Sequence, residues 1–135
     1  MIDRQKIEMF LAGGPHAVVG ASRDRSKYGN KVLRVYVQHD RAVYPVNPNA
    51  AEVEGLEAYP DLTSLPEAVH GVSIITPPDV SEQVVQEAAD LGIQHVWMQP
   101  GAQSEAAIAL AESRGMNVIA AGPCILVTLG YRETV

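Results

Sequence analysis

The stretch Ala17-Val18-Val19-Gly20-Ala21-Ser22-Arg23-Asp24-Arg25-Ser26-Lys27-Tyr28-Gly29-Asn30-Lys31-Val32 decides the fold. Its β-branched start suits a short buried strand, Gly20 suits a tight turn, and the residues from Tyr28 onward suit a helix. Such a strand–turn–helix junction gathers free backbone N–H groups at the positive end of a helix dipole. An anion is favoured there, which points to a phosphorylated, nucleotide-containing ligand. The competing reading is a solvated helix start whose charges simply face water.

The charge distribution favours the anion. The formal net charge is -6, yet Arg23, Arg25, Lys27 and Lys31 crowd this one turn, and neither Lys nor Arg occurs from Ala42 to Ser113. An acidic chain is a poor partner for nucleic acid or an anionic membrane. The 135 residues are expected to form one domain, 1–135, with a substantial core. No run is long and apolar enough to span a bilayer. Met1 to Lys6 is polar and lacks a signal-peptide core, so a first helix is expected there. A lone cysteine, Cys124, excludes an internal disulfide, and a cytoplasmic protein is expected.

Working outward, strands and helices alternate. Asp3 can cap a helix to Leu11, stopped by Gly13-Gly14-Pro15, and His16 to Val19 is the first strand. Tyr28 to His39 is a helix with Val32, Leu33, Tyr36 and Val37 on its apolar side. Ala42 to Val46 is the second strand, and Pro45, which cannot donate to a ladder, places it near an edge or interrupts it. A short third strand is expected near Glu57-Ala58-Tyr59, then one helical turn capped by Thr63 or Ser64. Val72 to Ile75 is a buried strand ended by Thr76-Pro77-Pro78, followed by a helix capped by Asp79 or Ser81 and stopped at Gly92. Gln94 to Met98 is a strand, Ser104 caps a helix through Arg114, and Asn117 to Ala120 is the last strand. This βα period implies an α/β, Rossmann-like three-layer sandwich, a mostly parallel sheet with helices on both faces. The expected strand order is 3-2-1-4-5 plus an outer strand, with the ligand crevice at the switch between the first and fourth strands. Three loops should meet there: Gly20-Ala21-Ser22, Val46-Asn47-Pro48 and Thr76-Pro77-Pro78.

The turn departs from a dinucleotide fingerprint. Ser22 stands in the second glycine place of G-x-G-x-x-G, and the second strand ends in Asn47-Pro48 where a ribose-binding carboxylate is wanted. Both departures count against NAD. The basic turn suits a ligand with an additional ribose phosphate, a description that fits NADP and coenzyme A.

At these residues the chain resembles the small single-domain CoA-binding proteins. Their fold is that of the CoA-binding domain of the succinate–CoA ligase alpha subunit and of NDP-forming acyl-CoA synthetases. The resemblance runs through Val19 to Asp24 with Ser26 to Gly29, Val43 to Pro48, Gly55 to Pro60, Leu65-Pro66, Thr76 to Pro78, Val96 to Gly101 and Gly122 to Cys124. It implies CoA or an acyl-CoA as ligand. The diphosphate would lie on backbone N–H groups of Gly20, Ala21, Ser22 and Arg23, with the Ser22 hydroxyl added and Arg23 and Lys27 meeting phosphate charge. Tyr28 and Gly29 would open the helix facing the ligand. Val46, Asn47 and Pro48 would border the adenosine from one side and Thr76, Pro77 and Pro78 from the other. The Pro pair equally suits a plain strand stop and helix start. Gln99 and Gly101 would lie near the pantetheine arm. The chain departs from the family pattern where Ile125, not proline, follows Cys124.

No catalytic constellation stands out. His16, His39, His70 and His95 lie near element ends and are expected to be surface or capping residues, and no metal-ligand spacing links them. Ser22 has no evident base beside it, Cys124 reads as a small structural residue, and Trp97 reads as core. A CoA-binding module without catalytic machinery of its own is therefore expected. A minimal NAD(P)-linked oxidoreductase and a detached CoA-binding subunit of an acyl-CoA ligase are the alternatives. The histidine that ligase relatives phosphorylate lies in a separate downstream domain, so ligase activity is not expected of these residues alone. Acyl group, protein partner and homodimer are left open.

Overall fold

A computed structural model describes residues 3–133. Its central sheet is built from β1 (His16–Val19), β2 (Val43–Val46), β5 (Gly71–Ile74), β6 (His95–Met98) and β7 (Asn117–Ile119), in the order β2-β1-β5-β6-β7. Every ladder is parallel. The helices are α1 (Asp3–Leu11), α2 (Tyr28–Gln38), α3 (Pro78–Asp90), α4 (Glu105–Ser113) and α5 (Ile125–Leu129). A small antiparallel hairpin, β3 (Glu52–Val53) with β4 (Leu56–Glu57), stands outside the sheet.

The strand alternation sorts side chains into two cores. Ala17, Val19, Val72, Ile74, Val96 and Met98 point to the side of α3 and α4, where Val84, Val85, Ala88, Ala107 and Ala111 meet them. Val18, Trp97 and Ile119 point the other way, against Phe10 of α1, Val32, Leu33 and Tyr36 of α2, and Ile125 of α5. Both faces of the sheet are thus covered, as a parallel sheet requires. Trp97 is fully buried, as its place on a strand predicts.

The third predicted strand is reduced to a single parallel bridge between Val46 and Tyr59. The chain before it doubles back through Glu54 (φ 51°) and Gly55 (φ 78°), and the hairpin takes Glu57, which pairs with Glu52. That bridge still lies beyond β2, where the third strand was expected. Tyr59 N–H donates to Pro45 O at 3.0 Å. In a parallel ladder a residue's N–H and C=O face the same way, so the donor Pro45 lacks falls on this weakly paired edge.

Other expectations need correction. No helix follows Thr63 or Ser64. Asp61 accepts instead from the Ser64 N–H and hydroxyl, closing a turn. Neither Asp79 nor Ser81 caps α3: the helix starts earlier, with Pro77 as N-cap and Pro78 first within it. Val37 is exposed, because the buried face of α2 turns toward Asn30 and Arg34. Of the two roles expected for His16, surface or capping, it takes the second: its Nε2 donates to Phe10 O in the last turn of α1 at 2.8 Å. It is 1% exposed, and its ring lies 4.7 Å from that of Phe10. Helix α5 had no sequence signal, being too short to show a helical period.

Candidate functional site

The glycine turn after β1 owes its shape to two close approaches. Gly20 has φ 98°, and a Cβ there would lie 1.9 Å from Ile75 O of the neighbouring strand end. At Gly29 a Cβ would lie 1.9 Å from Gly20 O. Only glycine at both places lets the start of α2 press against the end of β1. The start of α2 is left open: Lys27 is its N-cap, and no side chain bonds the first-turn N–H groups. Across the switch point α3 also begins without a side-chain cap. Helix α4, away from the crevice, is capped in the ordinary way, with the Ala107 N–H donating to Ser104 Oγ at 3.0 Å.

Beyond the ends of β1 and β2 lies a crevice of about 380 Å³, lined by Gly20, Ala21, Ser22, Val46, Asn47, Pro48 and Thr76 among others. All seven were expected at the site, and they come from the three loops named above. The crevice is of a size for a compact small-molecule group. Its far wall adds Pro60, Asp61, Val80, Val84 and Glu87, which sequence reasoning missed. Pro60 closes a stretch that the resemblance did contain, but nothing local shows that α3 turns Val80, Val84 and Glu87 toward the crevice.

Each polar group has a definite assignment. The Asp24 N–H donates to Ser22 Oγ at 3.1 Å, so the hydroxyl keeps its own hydrogen for another acceptor. Asp24 accepts from the Ser26 N–H at 2.9 Å and the Ser26 hydroxyl at 2.7 Å, which hold its carboxyl below the usual range. Asn47 donates its amide to Ala21 O at 2.8 Å and accepts from the Asn49 N–H at 2.7 Å. Both ends of this side chain are therefore occupied in bracing the turn. Arg23 and Lys27 are exposed at the rim and form no ion pair among the described residues.

The remaining predicted residues lie outside the crevice. Pro77 and Pro78 are exposed at the start of α3. Gly101 is exposed with φ 99°. Gln99 is wholly buried. Its Oε1 accepts from the Tyr28 hydroxyl at 3.2 Å and from the Ile125 N–H at 3.0 Å. The Tyr28 oxygen also lies 2.7 Å from Cys124 Sγ, and burial pushes the Tyr28 pKa up. Gln99 thus joins the start of α2 to the start of α5, beside the crevice and not in it.

Behind the turn stands a polar strut that the sequence did not announce. Arg34 is 5% exposed; its Nε donates to Asn30 Oδ1 at 2.6 Å and its NH2 to Arg25 O at 2.8 Å. Asn30, also buried, donates to Ser22 O at 2.8 Å and to Glu54 Oε2 at 3.0 Å. The i,i+4 spacing of Asn30 and Arg34 was the available signal, hidden because polar residues on a helix ordinarily mark its solvent side.

Comparison with known proteins shows the family and the fold. The sequence model of a family described as a CoA binding domain matches residues 16–130. Over 81 residues the chain is 33% identical to the alpha subunit of an ADP-forming acetate–CoA ligase II of Pyrococcus furiosus, covering 59% of this chain and 18% of that subunit. It is 35% identical over 80 residues to an ADP-forming acetate–CoA ligase II of Archaeoglobus fulgidus, spanning only 12% of its length. Among solved structures, the chain is similar to a conserved hypothetical protein of Pyrococcus furiosus, with a TM-score of 0.81 and 39% identity over 86% of this chain and 99% of that one. It is also similar to a dinucleotide-forming acetyl-coenzyme A synthetase of Ca. Korarchaeum cryptofilum, with a TM-score of 0.67 and 33% identity over 76% of this chain and 25% of that one.

Proposed function

The chain belongs to the CoA-binding-domain family, and from that premise we propose that it holds CoA or an acyl-CoA in the crevice between β1 and β5. The carrying observation is one crevice lined together by the glycine turn after β1, the end of β2 and Thr76 after β5, with Arg23 and Lys27 following that turn and forming no ion pair among the described residues. Backbone N–H groups of Ala21, Ser22 and Arg23 and the start of α2 receive the diphosphate, the Gly20 N–H being engaged by Val46 O at 3.2 Å, and the Ser22 hydroxyl donates to it. Arg23 and Lys27 meet the phosphate charge, including the 3′-phosphate. Val46, Asn47 and Pro48 border the adenosine opposite Thr76, Pro77 and Pro78, and the pantetheine arm runs toward Gly101 and Gln99.

Asn47 favours CoA over NAD. An NAD site asks the end of the second strand for a carboxylate with free acceptors. Here that place holds an amide, already engaged by Ala21 O and the Asn49 N–H. We read the domain as a binding module that acts as carrier, sensor or subunit of a larger assembly, because the crevice pairs no nucleophile with a base. Thermal unfolding with added ligand tests this, since a ligand that binds only the folded state raises the melting temperature. CoA or an acyl-CoA should raise it. A rise with NADH or NADPH and none with CoA would overturn the assignment.

A further inference from the structure

Beside the phosphate turn a carboxylate occupies one of the turn's own cations. Glu54 Oε2 lies 3.4 Å from Arg25 Nε and accepts from Asn30 Nδ2 at 3.0 Å. The Glu54 side chain keeps 24% of its exposure. Its backbone is in the left-handed region at φ 51°, with Gly55 at φ 78°, at the tip of the β3–β4 hairpin. Such two-residue turns favour Asn-Gly or Asp-Gly, whose short side chains tolerate positive φ. Glutamate gains nothing from that backbone, but its longer side chain reaches the turn. Val53, beside it, is buried in the core with Val32 and Leu33, so the hairpin is anchored and the carboxylate is held in place.

Resting on the CoA assignment above, we propose that Glu54 is a specificity-determining counter-charge: it neutralises Arg25 and so limits how strongly the turn holds a phosphate-rich ligand. Arg23 and Lys27 then carry the ligand's phosphates, while Arg25 is engaged within the protein. Replacing the carboxylate by its isosteric amide keeps the acceptor for Asn30 and releases Arg25.

The test is a double-mutant cycle read by calorimetric titration of CoA into the intact chain. Glu54→Gln should tighten CoA by about threefold or more and steepen the weakening of binding by salt, as an added free cation near the phosphates must. Arg25→Gln in the otherwise unchanged protein should weaken CoA by about threefold, because it leaves the Glu54 carboxylate uncompensated beside the phosphates. The same change made in the Glu54→Gln protein should remove the gain. Equal or weaker CoA binding by Glu54→Gln, or a gain that survives loss of Arg25, overturns the counter-charge while leaving the CoA site standing. Absence of CoA binding in every variant overturns the CoA assignment and the counter-charge with it.

Discussion

The two ends of the same sheet are finished in opposite ways. At the carboxyl end, β1 runs out into a crevice, and the helices that follow β1 and β5, α2 and α3, start without side-chain caps. At the amino end, side chains from the first residues of the strands close over the carbonyls of α1. His16 Nε2 donates to Phe10 O at 2.8 Å, His70 Nε2 to Met9 O at 2.9 Å, and Asn117 Nδ2 to Lys6 O at 2.9 Å. Arg41 adds a bond to Leu11 O at 3.0 Å. The His70 and His95 rings stack at 4.3 Å between these contacts. The βα topology makes the ends unlike: helices begin at the carboxyl end and offer N–H groups, whereas α1 finishes at the amino end and offers carbonyls that these side chains cover.

The largest way to break this contrast is to fill the turn. Gly20→Val places a branched side chain at φ 98° and against Ile75 O, and should cost more than about 3 kcal/mol of stability and abolish binding. Urea unfolding, with ligand titration on whatever folds, checks both. The seal should fail differently, through acid. Burial lowers the His16 pKa from 6.5 to about 4, so the folded chain resists taking up a proton that the unfolded chain accepts. His16 therefore gives its full stabilisation above about pH 6.5, and that stabilisation declines as pH falls toward 4. The loss is about 3 kcal/mol, and burial lowers the His95 pKa in the same sense. Unfolding free energies measured from pH 7 to pH 4 should show this slope, and His16→Gln should flatten it; a flat profile in the unaltered protein refutes the seal's acid sensitivity.

Smaller effects separate the ends further. Arg23→Ala should weaken CoA by about tenfold, and 3′-dephospho-CoA less, with an unchanged unfolding midpoint. Equal loss for both ligands would move Arg23 from the 3′-phosphate to the diphosphate. Ser104→Ala should do the reverse, lowering stability by about 1 kcal/mol with CoA affinity unaltered, because the only helix start it uncaps is that of α4.

Where sequence reasoning succeeded, the governing interactions were short in range. Gly20 needs positive φ, Ser104 caps a helix three residues on, and the βα period follows from alternation of apolar and turn residues. Where it failed, a competing partner intervened. Tyr59 keeps only a bridge because Glu57 before it is paired with Glu52 in the hairpin, Ser81 is drawn onto the Thr76 hydroxyl at 2.8 Å, and α3 starts on its prolines instead.

By itself, then, the sequence determined a strand, a glycine turn and a helix start carrying the one basic pole of an acidic chain. It also determined the parallel alternation that puts this turn at a switch point. These depend on backbone preferences and periodicities that act within a few residues. Only the tertiary structure decided which donors stay free. The Asn47 amide goes to Ala21 O, 26 residues away in sequence; Glu54 meets Asn30, 24 away; and Asn117 reaches Lys6, 111 away. Such pairs form only when the sheet closes, because their geometry belongs to packed layers and leaves no periodic trace in the chain.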